Sequence, residues 1–319
     1  MRDHGGNIDA AKARFGGADW IDLSTGINRV PYPIPVLTAE AWTALPTAAA
    51  LVGLTAAAAR AYATSAMILP VAGAQAAIQM IPRLGPAGRA RVLAPTYNEH
   101  AASLRAAGWQ VDEVGRLADL AGADLAVVVN PNNPDGQTHA PAALLALAAQ
   151  VGRLVVDESF ADARADLSVA PQAGQRGLFV LRSFGKFYGL AGLRLGFVLG
   201  HPEEIADLAQ MAGPWPVSGA AIQIGQAALA DANWAAASIA RLRADVARLD
   251  ALAVAVGWNT VGGTELFRLY DTPDASAAQA RLARAAIWSR IFPASPRWLR
   301  LGLPGRPDEW ARLETVFRS

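Results

Sequence analysis

Three residues with chemically useful side chains follow apolar runs of the sequence, each shortly after the run ends. They are Asn133, Asp157 and Lys186, and the runs before them end at residues 129, 156 and 181. Runs of this length and composition are typical of buried strands. Because ligands of open α/β sheets bind beyond the carboxyl ends of the strands, we expect an amide, a carboxylate and an amine to meet at one sheet edge.

A fourth stretch at the same edge suits an anion. Gly73, Ala74 and Gln75 open a predicted helix after an apolar run that ends at residue 71. The N–H groups of a helix's first turn bind phosphate, and a serine hydroxyl and a guanidinium often complete such a site. Ser183 and Arg194 could supply those two groups.

Each of these features also has an ordinary explanation when it stands alone. Asn-Pro-Asp-Gly at 133–136 is usually a turn, and an aspartate at a strand end often caps a helix. Together, however, they match the needs of pyridoxal 5'-phosphate. Lys186 could bind its aldehyde as a Schiff base, Asp157 could keep its pyridine nitrogen protonated, and Asn133 could donate to its phenolic oxygen. We predict this cofactor and no metal.

The stretch Ser-Phe-Gly-Lys-Phe-Tyr-Gly-Leu-Ala-Gly-Leu-Arg-Leu-Gly at 183–196 resembles the signature of the class I/II aminotransferases, which have the fold type I of pyridoxal-phosphate enzymes. The resemblance implies that Lys186 is the Schiff-base lysine and that Arg194 binds the cofactor phosphate. It also implies that Tyr97 stacks on the cofactor ring and that Asn133 donates to the phenolic oxygen. By the same resemblance, Asp157 is the partner of the pyridinium nitrogen and Arg300 binds the substrate carboxylate.

The N-terminal stretch narrows this resemblance. His4-Gly5-Gly6-Asn7 and Asp-Leu-Ser-Thr-Gly-Ile-Asn at 22–28 resemble the opening of the threonine-phosphate decarboxylases of cobalamin biosynthesis. That likeness implies decarboxylation of L-threonine O-3-phosphate to (R)-1-amino-2-propanol O-2-phosphate. It also implies substrate contacts from His4, Asn28, Arg290 and Arg300. Whether the N-terminal arm serves its own or a partner subunit's site stays open.

Two departures from the family pattern bear on the reaction. Phe160 stands where aminotransferases commonly have a tyrosine that reaches the ring oxygen, and Ala-Leu-Pro at 44–46 lacks a tyrosine that relatives extend to the partner's cofactor phosphate. The loss of the first hydroxyl weakens the case for ordinary transamination. A histidinol-phosphate-type aminotransferase shares the core motifs and remains the alternative. A cofactor-sensing transcription regulator is a remote alternative, because such a protein needs a DNA-binding domain and a basic patch.

The elements that must position these residues follow from length and patterning. A chain of 319 residues suggests a large domain with a smaller one. Apolar runs alternate with alanine-rich stretches between about 40 and 210, which predicts an α/β domain with a mainly parallel sheet and helices on both faces. We place an irregular N-terminal arm at 1–40, joining the small domain, the cofactor-binding domain at 41–212, and a small α+β domain at 213–319.

The composition of the chain indicates which kinds of binding partner to expect. Hydrophobic residues make up 53% of the chain and charged residues 17%, well below the quarter or so of an ordinary soluble protein, which favours a sizeable subunit interface and a homodimer. The net charge of +1 gives no reason to expect nucleic acid or a membrane surface as partner. Apolar runs of about 20 residues are missing, so we expect a soluble cytoplasmic enzyme acting on a small phosphorylated amino acid.

Overall fold

The computed structural model describes residues 4–318, which form two compact units. The small unit comprises the N-terminal residues up to Pro31, the short stretch Pro134–Gln137 and the chain from Trp234 onward. The large unit comprises Tyr32–Asn133 and Thr138–Asn233.

Helices and strands alternate through most of the described chain. The helices are α1 (Ile8–Phe15), α2 (Glu40–Thr43), α3 (Ala48–Ala61), α4 (Ala74–Met80), α5 (Glu99–Ala106), α6 (Pro141–Ala148), α7 (Phe184–Phe187), α8 (Pro202–Ala212), α9 (Gly219–Ala230), α10 (Ala232–Ala255), α11 (Ala275–Arg284) and α12 (Pro307–Arg318). The strands are β1 (Ile21–Asp22), β2 (Met67–Val71), β3 (Arg89–Leu93), β4 (Gln110–Val114), β5 (Leu125–Val129), β6 (Leu154–Asp157), β7 (Leu178–Ser183), β8 (Gly196–Gly200), β9 (Asn259–Thr264), β10 (Phe267–Asp271), β11 (Ile287–Trp288), β12 (Arg290–Phe292) and β13 (Ser295–Gly302). Within residues 4–318, none of the helices has the length and apolar character needed to cross a bilayer.

Among the described residues, the large unit holds a seven-stranded sheet in the order β2-β8-β7-β6-β5-β3-β4. Neighbours from β7 to β4 pair in parallel, whereas β8 runs antiparallel to both β7 and β2. Every residue of β5, β6 and β8 is buried, as expected for strands covered on both faces. The predicted α/β class with a mainly parallel sheet is confirmed.

The small unit, as far as it is described, has a four-stranded antiparallel sheet in the order β12-β13-β10-β9 and a parallel pair of β1 with β11. The expectation that residues 1–40 are irregular was wrong. Asn7 caps α1 by accepting a hydrogen bond from the Ala10 N–H at 3.1 Å, and β1 pairs with β11 through Ile21 and Ile287. An asparagine before an alanine-rich stretch is a helix-start signal that indicates this element.

We placed domain boundaries after residues 40 and 212. The compact units instead change after Pro31 and before Trp234. Helix α9 lies in the large unit, where it packs against α3. Gly225 allows the close approach, because a Cβ there would lie 2.9 Å from Leu54 Cδ1. Gln226 then donates to the Ala50 carbonyl at 3.0 Å. Pro214 and Pro216, which follow α8, therefore do not mark the end of the large unit.

Candidate active site

The residues predicted to bind a cofactor converge on one pocket of the large unit, at the carboxyl edge of its sheet. The pocket contains a cavity of about 140 Å³. Its lining includes every member of the predicted set, namely Gly73, Ala74, Gln75, Tyr97, Asn133, Asp157, Ser183, Lys186 and Arg194. The structure thus brings these residues together, and their individual roles remain predictions.

Neighbouring parallel strands deliver the central residues. Asp157 ends β6 and pairs with Val129 of β5 and Leu181 of β7. Lys186 lies on α7, the short helix that follows β7. The turn beyond it approaches closely, because a Cβ on Gly185 would lie 2.8 Å from Ala191 Cα. A glycine directly before the lysine is therefore a steric requirement of this turn.

The Asp157 carboxylate is buried, with 2% of the residue exposed, and both of its oxygens are hydrogen bonded. Its Oδ2 lies 2.8 Å from His100 Nε2, and its Oδ1 accepts hydrogen bonds from the Ser159 N–H and hydroxyl. Burial alone would raise the pKa of Asp157, but the bonds from His100 and Ser159 outweigh it and hold that pKa below its ordinary value. The group is therefore a carboxylate at neutral pH.

Neither partner of Asp157 was predicted from the sequence. His100 stands three residues after Tyr97 in the first turn of α5, and Ser159 stands two residues after Asp157. A serine at that spacing is a signal for a local side-chain turn. No local spacing, by contrast, relates His100 to an aspartate 57 residues later.

Tyr97 forms an aromatic wall of the pocket. Its ring meets the His100 imidazole edge-on, with centroids 6.2 Å apart, and its hydroxyl donates to Gln75 Oε1 at 3.3 Å. Gln75 Nε2 in turn donates to the buried Glu99 at 3.2 Å. The Gln75 side chain thus supports Tyr97, so a contribution of Gln75 to phosphate binding would come from its backbone.

Gly73 and Arg194 give part of the pocket lining the shape and charge of an anion site. Gly73 has a φ of +77°, and a Cβ there would lie 2.8 Å from Arg194 Nη2. Arg194 itself adopts a left-handed conformation, with a φ of 55°, and its Nη1 donates to the Ala191 carbonyl at 3.1 Å. The missing side chain at Gly73 therefore leaves room for the guanidinium beside the first turn of α4.

Phe160 and Lys186 share the remaining wall. The Lys186 Nζ lies 5.7 Å from the centroid of the Phe160 ring, and Phe160 is buried. The aromatic face gives the amine a largely apolar neighbour, and the side chain offers no hydroxyl toward the pocket.

Two of the predicted substrate residues are direct neighbours in the small unit. Arg290 of β12 pairs with Arg300 of β13. Arg300 is 3% exposed, donates to the Ser24 carbonyl at 2.6 Å and stacks on Phe267 at 4.9 Å. Phe292 lies against both guanidinium groups, 4.9 Å from that of Arg290 and 5.8 Å from that of Arg300. Arg290 is half-buried, so it is not an ordinary surface arginine.

The other two predicted substrate residues also lie in the small unit. The buried Asn28 accepts hydrogen bonds at its Oδ1 from the Val30 N–H at 3.0 Å and from Arg241 Nη2 at 2.7 Å. The side-chain oxygen of Asn28 is therefore used in contacts within the small unit. His4 is exposed. Substrate contacts from both residues stay predictions.

Comparison with known proteins assigns the family. Residues 18–312 match the model of the aminotransferase class I and II family. The chain belongs to this family. The predicted recognition is thereby confirmed.

Curated relatives within this family fall into two groups. A threonine-phosphate decarboxylase of Sinorhizobium sp is 48% identical, over 94% of this chain and 92% of its own, and one of Pseudomonas aeruginosa is 44% identical, over 99% and 97%. A histidinol-phosphate aminotransferase of Mycobacterium tuberculosis is 32% identical and covers 74% of each chain.

Solved structures share the fold. The L-threonine-O-3-phosphate decarboxylase from Porphyromonas gingivalis superposes with a TM-score of 0.75 at 19% identity, over 93% of this chain and 98% of its own. The histidinol-phosphate aminotransferase from Sinorhizobium meliloti in complex with pyridoxal-5'-phosphate gives 0.79 at 21% identity, over 98% and 95%. At such identities the likeness establishes the architecture alone.

Proposed function

We propose that this chain is a pyridoxal-phosphate-dependent decarboxylase that converts L-threonine O-3-phosphate to (R)-1-amino-2-propanol O-2-phosphate in cobalamin biosynthesis. The observation that carries this proposal is the 44–48% identity to two threonine-phosphate decarboxylases over almost the whole chain. The histidinol-phosphate aminotransferases are less similar and match a smaller part of it.

The pocket fits pyridoxal phosphate. Gly73 lacks the Cβ that would fill the space next to the Arg194 guanidinium, which leaves a cationic opening for a phosphate. The buried Asp157, which lines the same pocket, is held as a carboxylate, as a protonated pyridine nitrogen requires. The pocket thus offers a cationic group for the cofactor's phosphate and an anionic group for its ring nitrogen.

Six residues of the pocket then have roles in holding the cofactor. Lys186 would hold the cofactor's aldehyde carbon through its amine, and Asn133 would donate to the phenolic oxygen. Ala74, Ser183 and Arg194 would hold the phosphate, with Gly73 making room. When bound, pyridoxal phosphate supplies a conjugated ring that takes up the electron pair left as carbon dioxide departs.

Asp157 would keep the ring nitrogen of the cofactor protonated, because Asp157 is itself held as a carboxylate. His100 holds its Oδ2 and Ser159 holds its Oδ1, so the carboxylate cannot rotate away without breaking these bonds. Phe160 stands beside Lys186 and has no hydroxyl, so its side chain donates no proton near the amine.

The substrate carries two anionic groups, a carboxylate and a phosphate. Arg290 and Arg300 stand opposite each other on paired strands. Guanidinium forks bind both kinds of group bidentately. Histidinol phosphate carries no carboxylate, so it would use only one arginine well.

We further propose a cytoplasmic homodimer. Several large apolar side chains of the large unit are exposed within a short stretch, among them Trp42 (72%), Leu45 (63%) and Val52 (66%). Exposed apolar clusters of this kind mark interaction surfaces. A second copy of the chain is the proposed occupant, since the low charged fraction also favours a subunit interface.

A comparison of two substrates tests this function. With pyridoxal phosphate present, we expect consumption of L-threonine O-3-phosphate without any keto acid, and little turnover of histidinol phosphate with 2-oxoglutarate. Clear transamination of histidinol phosphate, with threonine phosphate left unchanged, would favour the aminotransferase instead.

A further inference from the structure

A buried cluster of charged side chains lies on the face of the large sheet opposite the pocket. Arg182 Nη1 donates to Glu158 at 2.9 Å and Nη2 donates to Asp162 at 2.8 Å. The side chains of the three residues are 5%, 0% and 10% exposed. Because successive residues of a strand point to opposite faces, Arg182 points away from the pocket that Ser183 lines.

The cluster joins the two ends of the segment 158–169 by hydrogen bonds. Glu158 begins this segment and accepts hydrogen bonds from the Ser168 hydroxyl at 2.6 Å and the Val169 N–H at 2.7 Å. Asp162 lies within it, so the fork of Arg182 holds the segment at its start and at an inner point. The guanidinium is fixed from a further side by Tyr62, which directly follows α3 and whose ring centroid is 4.3 Å away.

The same segment carries two residues of the pocket. Ser159 donates twice to Asp157, and Phe160 lies beside the Lys186 amine. Both stand between Glu158 and Asp162, the two carboxylates that Arg182 holds. A shift of this short stretch would therefore reach both the Asp157 carboxylate and the surroundings of Lys186.

Stability alone does not explain the cluster. Replacing a buried ion pair by apolar residues of similar volume is often neutral or stabilising. The formal charges here sum to −1, since one guanidinium faces two carboxylates, and burial raises the pKa of both Glu158 and Asp162 against the opposing influence of Arg182. What the cluster adds over apolar packing is directional control of the backbone that it holds.

We propose that Arg182 is a positioning residue that, through Glu158 and Asp162, fixes Ser159 and Phe160 and so orients Asp157 and Lys186 toward the cofactor. The inference rests on the proposed function only for the identity of that cofactor.

Asp162→Asn is the sharpest variant. It removes one of two carboxylates and leaves Arg182 paired with Glu158, so the buried cluster becomes neutral and the fold should persist. Arg182→Lys is the second variant, because a single ammonium cannot reproduce the fork to two carboxylates. Asp166→Asn is the matched control, since it breaks an exposed ion pair with Arg164 in the same segment.

The readouts are the dissociation constant of pyridoxal phosphate, titrated onto apoprotein, and the absorption spectrum of the bound cofactor across pH. Melting temperatures are measured alongside. We expect Asp162→Asn and Arg182→Lys to raise the dissociation constant about tenfold, equivalent to ~1.4 kcal/mol, and to move the pH midpoint of the cofactor band. The control should change neither.

A purely structural role gives a different pattern. Lower melting temperatures with an unchanged dissociation constant and spectrum would overturn the proposal, and so would failure of both variants to fold while the control folds. A wild-type chain that binds no pyridoxal phosphate would instead contradict the proposed cofactor. Because substrate is absent, the result does not depend on threonine phosphate.

Discussion

At the scale of single residues, the account depends first on Lys186. Its position on α7, in the pocket with Asp157 and Arg194, predicts a covalent bond to pyridoxal phosphate. Borohydride reduction of the holoenzyme should trap the cofactor on the peptide that contains Lys186. Lys186→Ala should lose turnover by many powers of ten, because the covalent nucleophile is gone. Trapping on another lysine would show that the pocket is misassigned.

The pKa of Asp157 gives a second prediction at this scale. That pKa lies below its ordinary value because His100 and Ser159 bond the carboxylate against the effect of burial. A lowered folded-state pKa stabilises the native state above the unfolded pKa of about 3.9, and this contribution is lost as pH falls through the folded value. The variant His100→Phe removes the interactions with His100 that lower the pKa of Asp157. The effect of burial is then less opposed, so the pKa of Asp157 rises relative to the wild type.

The measurement for His100→Phe is the pH dependence of pyridoxal-phosphate binding. We expect its acid limb to move to higher pH, because the carboxylate is protonated earlier. Glu113→Gln, which breaks an exposed pair with Arg105, provides the control. Identical acid limbs in the variant and the wild type would mean that His100 does not govern the ionisation of Asp157.

At the scale of elements, the pairing of β12 with β13 places Arg290 opposite Arg300. If this pair binds the anionic groups of the substrate, Arg300→Ala should lower kcat/KM for threonine phosphate by the equivalent of roughly 2–5 kcal/mol, the usual effect of truncating a buried charge partner. Arg297→Ala is a matched control on the same strand, since Arg297 forms an exposed pair with Asp271. Equal losses in both variants would place the substrate's anionic groups elsewhere.

Elements also show where sequence reasoning succeeds and where it stops. The pocket was predictable because Asn133, Asp157 and Lys186 follow apolar runs whose carboxyl ends must meet in a parallel sheet. His100 could not be found in this way, since its contact with Asp157 depends on how α5 packs. The use of the Gln75 side chain to support Tyr97 was equally hidden, because it depends on tertiary geometry.

The failure to predict the N-terminal helix α1 has a different cause. The capping Asn7 and the residues after it carry a helix signal of their own, but we expected an irregular arm because the first 40 residues are rich in glycine and proline. Here local sequence held the information, and the interpretation gave the glycines too much weight.

At the scale of the whole molecule, the exposed apolar side chains around α2 and α3 predict a homodimer. Trp42→Asp should weaken self-association, because it puts a charge where apolar surface would be covered in an interface of the usual total size of about 1,600 Å². Val254→Asp, at an exposed apolar position of α10, is the control. Sedimentation should show a dimer for the wild type and the control, and dissociation for Trp42→Asp. A wild-type monomer that is active at micromolar concentration would contradict the dimer.

The central claim is that this chain removes the carboxylate of threonine phosphate and leaves its amine in place. The most direct measurement uses L-threonine O-3-phosphate labelled with ¹³C in the carboxylate, with pyridoxal phosphate and no keto acid. We predict one labelled carbon dioxide for each substrate consumed, and a product that retains both amine and phosphate as 1-amino-2-propanol O-2-phosphate. Label retained in a keto acid product, or no carbon dioxide from a chain shown to hold the cofactor on Lys186, would contradict the account.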